Sequence, residues 1–128
     1  MAAIRLRDII YNRAVHRQTV AFLGEVQALL DAASVKGFET DFSFRYWLVA
    51  ATAYHSVLED LKEVDEILCW RIESFLSVIE SYLADHPFAR RNSAELFGAM
   101  SVLAADCRIR SEQRLSALRS ALFLDQAR

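Results

Sequence analysis

The feature that most constrains this chain is its shortage of residues that turn a backbone. In 128 residues there are three glycines, Gly24, Gly37 and Gly98, and one proline, Pro87. Sandwiches, barrels and βαβ units need a turn signal about every ten residues. So few punctuators predict few, long elements, and helices are the elements that run long. One domain of this length buries roughly two-thirds of its unfolded surface, so a hydrophobic core forms without staples. The expectation is a single all-α domain over residues 1–128.

Two short breaks divide the chain into three helical blocks. The first is Ser34 to Asp41, where Gly37 suits a left-handed turn and Thr40, Asp41 or Ser43 can cap the next helix. The second is Asp85 to Ser93, where Pro87 ends the middle block and Asn92 with Glu95 reads as a capping box. The first helix, over about residues 3–33, carries Ile9, Ile10, Phe22, Leu23, Val26, Leu29, Leu30 and Ala33 at three- and four-residue steps. The last, over about 93–125, repeats Leu96, Met100, Leu103 and Cys107. It resumes at Leu115, Leu118 and Leu122 after an extra half-period.

The middle block, 41–84, admits two readings. Its apolar seam from Trp47 to Tyr82 can run unbroken, giving three long helices with 41–84 continuous. Against this, Glu59 to Glu66 holds six charges in eight residues between two apolar stretches, and helices beyond forty residues are rare in small domains. A hairpin at 59–66 is favoured. The fold expected is therefore an antiparallel up-down four-helix bundle. In it the start of the first helix, the 59–66 turn and the end of the last helix share a pole. Residues 34–87 hold four Lys/Arg against ten Asp/Glu, and residues 88–128 hold seven against four, so arginines of the outer helices are expected to neutralise the acidic turn there.

Apolar residues make up 54% of the chain, yet the longest apolar or small-residue run, Tyr46 to Tyr54, is about half a membrane span. No membrane crossing is expected. The opening residues alternate charge with apolar side chains, unlike a signal peptide. Cys69 and Cys107 sit among apolar neighbours, as reduced cytoplasmic thiols do. The preference for arginine over lysine fits a GC-rich bacterial or phage genome.

No catalytic signature is present: no Gly-x-Ser-x-Gly elbow, phosphate loop or dinucleotide fingerprint. A metal-binding bundle would use Glu-x-x-His, which does not occur. His55 and Glu59 share a helix face and, with His16 and Asp106, make the one improvised enzyme or metal constellation. Arg110, Arg114 and Arg119 form the candidate basic patch for nucleic acid, set against a net charge of −2. No cofactor is expected.

The middle helices carry the stronger signal. Their apolar faces are wider than one small bundle covers, and Trp70 projects outside the apolar arc of its helix. Trp70, Tyr46 and Val49 are the candidate partner contacts. The expectation is a non-enzymatic interaction protein, homodimeric and cytoplasmic, acting as an adaptor, regulator or inhibitor of another macromolecule.

Overall fold

A computed structural model describes residues 5–36, 55–85 and 93–126. Four helices and no strand occur among them: α1 (Leu6–Lys36), α2 (His55–Val64), α3 (Glu66–Asp85) and α4 (Ser93–Gln126). At 1.5 Å per residue α1 and α4 are about 46 and 51 Å long, against about 15 Å for α2 and 30 Å for α3. Among the described residues the two long helices make the most extensive pairing.

Their direction is set by two contacts. Ser101, near the start of α4, donates a hydrogen bond to the Asp31 carboxylate, near the end of α1. At the other end His16 lies within electrostatic reach of Arg114. One contact joins late α1 to early α4 and the other joins early α1 to late α4, so the helices run antiparallel.

The buried seams agree. On α1, His16, Thr19, Leu23, Val26, Leu30 and Ala33 are buried; on α4, Phe97, Met100, Ala104, Cys107, Ser111, Leu115, Leu118 and Leu122 are buried. From Thr19 to Ala33 the steps are four, three, four, three. From Ser111 back to Phe97 they are the same. Both helices thus carry the alternating three-four spacing that keeps a seam facing one partner.

This corrects the sequence reading of α4. The half-period gap between Cys107 and Leu115 is filled by Ser111, which is buried. Leu103, read as a core position, is exposed, and so is Ile10 on α1.

The middle block is divided at one residue, Asp65. Its N–H donates to the Leu61 carbonyl at 2.7 Å, completing α2, and its carbonyl accepts from Cys69 N–H at 3.0 Å, opening α3. Its carboxylate caps α3, Oδ1 accepting from Leu68 N–H at 3.3 Å. The chain bends sharply here: the Cys69 thiol donates to the Leu58 carbonyl at 3.1 Å, although eleven residues of continuous helix would separate the two by about 16 Å. The reading of 41–84 as one helix is therefore overturned within 55–85. The expected turn over 59–66 is also narrowed, because Glu59 to Val64 is helical. Charge density there reflects an exposed helix face, and the break comes from Asp65 capping the next helix.

The core gathers all four helices around Phe22, Leu23, Leu30, Leu61, Ile72, Ile79, Phe97 and Met100. Arg71 of α3 lies near Cys107 of α4, and Arg71, with Ile67 one turn before it, shares a pocket with Arg110 of α4.

Candidate functional site

Two features sit where α1, α4 and the Asp65 corner meet: a buried polar layer and, outside it, an open pocket beside an apolar helix face.

The layer is made of His16, Thr19 and Ser111, all fully buried. Thr19 satisfies its hydroxyl locally, donating to the Val15 carbonyl at 2.9 Å. His16 and Ser111 do not: neither ring nitrogen and not the Ser111 hydroxyl has a hydrogen-bond partner. The nearest charge to His16 is Asp65, whose Oδ2 lies 3.9 Å from Nε2. Burial holds the His16 pKa below its ordinary value, opposed by Asp65 and reinforced by Arg114. The imidazole is therefore neutral at pH 7.

Beside this layer Tyr11 faces the acidic side of α2. Its pKa is raised by desolvation and by Asp60 and Glu63, with a hydrogen bond to Asp60 adding to the effect. Burial also raises the Cys69 thiol to about 11, with Glu73 contributing, and burial likewise raises Cys107, with Asp106 contributing. Both cysteines are free and buried, which makes them poor nucleophiles at neutral pH.

The pocket is lined by Asp65, Ile67, Leu68, Arg71 and Arg110 and holds about 110 Å³. Small-molecule sites run from roughly 300 Å³ upward, so this space suits one side-chain end. Next to it Ile67, Trp70 and Val78 are 69%, 66% and 52% exposed. At 100° per residue, Ile67, Arg71, Ser74 and Val78 fall within about 60° of each other and Trp70 flanks them. Together they form one face of α3.

Trp70, expected from the sequence as a partner contact, is thus on an exposed face. Tyr46 and Val49 lie outside the described residues. Ile67 and Val78 were missed, because periodicity alone reads a valine or isoleucine as core.

The proposed basic patch separates. Arg110 and Arg114, four residues apart, share a side of α4, and nine residues of helical phase put Arg119 half a turn away from Arg110. Arg110 pairs with Asp106 at 3.3 Å and Arg108 with Glu112 at 3.8 Å. These ion pairs lie within α4 and not with the 59–66 acids, because an i,i+4 partner is already in reach.

The improvised metal constellation is not assembled among the described residues. His16 faces Asp65, Asp106 is engaged by Arg110, Glu59 is exposed, and the His55 side chain lies outside them. No group of three or more His, Cys, Asp or Glu placed to hold a metal ion occurs among the described residues. None of their helices is long and apolar enough to cross a membrane.

No family model matches the chain, and neither does any curated protein or solved structure with which it was compared.

Proposed function

We propose that this chain is a small helical interaction protein, a cytoplasmic adaptor, regulator or inhibitor that forms a homodimer and presents one face of α3 to its partners. The carrying observation is the exposure of Ile67, Trp70 and Val78 on a single helix face. Large aromatic and aliphatic side chains grouped in this way mark contact surfaces, and tryptophan is the residue most enriched among binding hot spots. We also propose that the helices complete an antiparallel up-down four-helix bundle. The opposed directions of α1 and α4 support it. Two buried free thiols suit a reducing compartment.

Sedimentation equilibrium tests the reading. The wild-type chain is expected to self-associate, and Ile67→Asp with Trp70→Asp is expected to weaken that association at least tenfold with the helical circular dichroism unchanged. A wild-type monomer at all concentrations, or a double variant that associates as before, would overturn it.

A further inference from the structure

We infer that the pocket between Arg71 and Arg110 receives a carboxylate from an acidic amphipathic helix of a partner protein, whose apolar side packs along Ile67, Trp70 and Val78. This rests on the reading of α3 as a contact face and names the partner that takes the place of the second copy there.

The length comes first. Ile67 and Val78 are eleven residues apart, about 16 Å or three turns, with the small Ser74 in the row between Trp70 and Val78. A row of this length takes three turns of another helix, recognised through its i, i+3, i+4 and i+7 positions.

Charge decides the kind of helix. On the stretch from Ile67 to Val78, no Asp or Glu falls within the arc that these two residues share; the one ionic group there is Arg71. Arg71 is half-buried and makes no ion pair among the described residues. Arg110 faces it across the pocket and holds Asp106 through Nε alone. Asp65, the one carboxylate among the described lining residues, is engaged inward by Leu68 N–H and faces His16. Two guanidinium groups therefore border a space the size of one side-chain end, in a chain whose net charge is −2. Guanidinium and carboxylate match in planar, paired geometry, and desolvation by the flanking apolar row strengthens the contact. A basic partner helix would instead bring like charge against Arg71 and Arg110.

The probe is a library of 16-residue peptides displayed on phage and selected against the whole chain. Enriched peptides are expected to carry Asp or Glu within one turn of paired large apolar residues. The best peptide, measured by fluorescence anisotropy, is expected to lose at least tenfold in affinity against Arg71→Glu/Arg110→Glu and against Trp70→Ala. Against the charge-reversed protein, a peptide with Lys in place of its carboxylate is expected to regain affinity. Selection of neutral or basic peptides, or charge reversal without effect, would overturn the acidic helix. So would preferential binding of a 20-base-pair DNA duplex that is abolished by the same double reversal. If no peptide is enriched while Trp70-dependent self-association persists, this inference falls and the interaction reading stands. If neither occurs, both fall.

Discussion

The α1–α4 pair has two unlike halves. From Leu23 to Ala33, opposite Phe97 to Cys107, the residues at three-four spacing are apolar and nearly free of solvent, and the one buried polar side chain beside them, Ser101, has its partner in Asp31. From Ile9 to Thr19, opposite Ser111 to Leu122, the seam includes His16, Thr19 and Ser111, and the apolar residues Ile9, Leu115, Leu118 and Leu122 stand outside the main cluster. The first half supplies stability without saying much about register, since sliding one apolar seam along another by a heptad leaves similar contacts. The second half buries its apolar residues less completely, and its polar residues tolerate few neighbours. Buried polar groups at seam positions commonly fix register and partner number at a cost in stability. Stability and specificity are thus carried by different stretches of the same two helices.

The largest effect should come from breaking the apolar half. Phe97 is fully buried at the heart of the cluster, and Phe97→Ala is expected to cost about 3–5 kcal/mol, transfer and cavity terms together. Leu118→Ala, at the edge of the polar half with 8% of its surface exposed, should cost about 2 kcal/mol, the low end for such a truncation. Urea unfolding monitored by circular dichroism measures both, and equal losses would remove the distinction between the halves.

Next comes His16, where the sign should invert. Two buried ring nitrogens without partners carry a desolvation penalty, so His16→Leu is expected to raise stability by about 1–3 kcal/mol at pH 7. If the polar layer fixes register, the gain comes with broadened amide spectra as alternative registers become populated. The same residue sets a pH dependence. Its folded pKa lies below the unfolded value of about 6.5, so in the window below 6.5 the unfolded chain binds more protons. Its contribution is therefore whole above about 6.5 and falls away as pH drops towards the folded pKa. His16→Leu should flatten the stability profile between pH 7 and 5, and a profile unchanged by the substitution would show that His16 does not cause it.

How much of this was legible in the sequence depends on what kind of residue carried each feature. The long outer helices were legible because Leu, Ile, Phe and Met recur at helical steps and almost no glycine or proline interrupts them. The seam through His16, Thr19 and Ser111 was not, because polar residues at core positions look like gaps in a pattern. The break at Asp65 was half-legible: the charge run pointed to the neighbourhood, while the cause is one carboxylate capping Leu68 N–H. At the candidate site, Trp70 stood out as an aromatic off the apolar arc. Ile67 and Val78 did not, since only the packing of α3 against its neighbours shows which half of a wide apolar arc is turned outward. Arg71 and Arg110 lie 39 residues apart on different helices, and no spacing rule joins them.

The smallest expected effect separates the two jobs of Asp65, which stands at the boundary of the polar half. Its Oδ1 caps α3 and its Oδ2 faces His16. Asp65→Ala removes both and should cost about 1 kcal/mol at pH 7, the usual loss for a cap. Asp65→Asn keeps a capping oxygen and removes the charge, so at pH 7, with His16 neutral, its stability should stay within about 0.5 kcal/mol of wild type. In acid the two proteins should diverge. Among the described residues the carboxylate is the one group that favours the His16 imidazolium; without it the folded pKa drops further and the pH window of instability extends downward from the same start near 6.5. Thermal melts of both variants from pH 7 to 5 make the comparison. Should Asp65→Asn lose as much as Asp65→Ala at pH 7, the contact with His16 would outweigh the cap, and the corner would belong to the polar layer more than to α3.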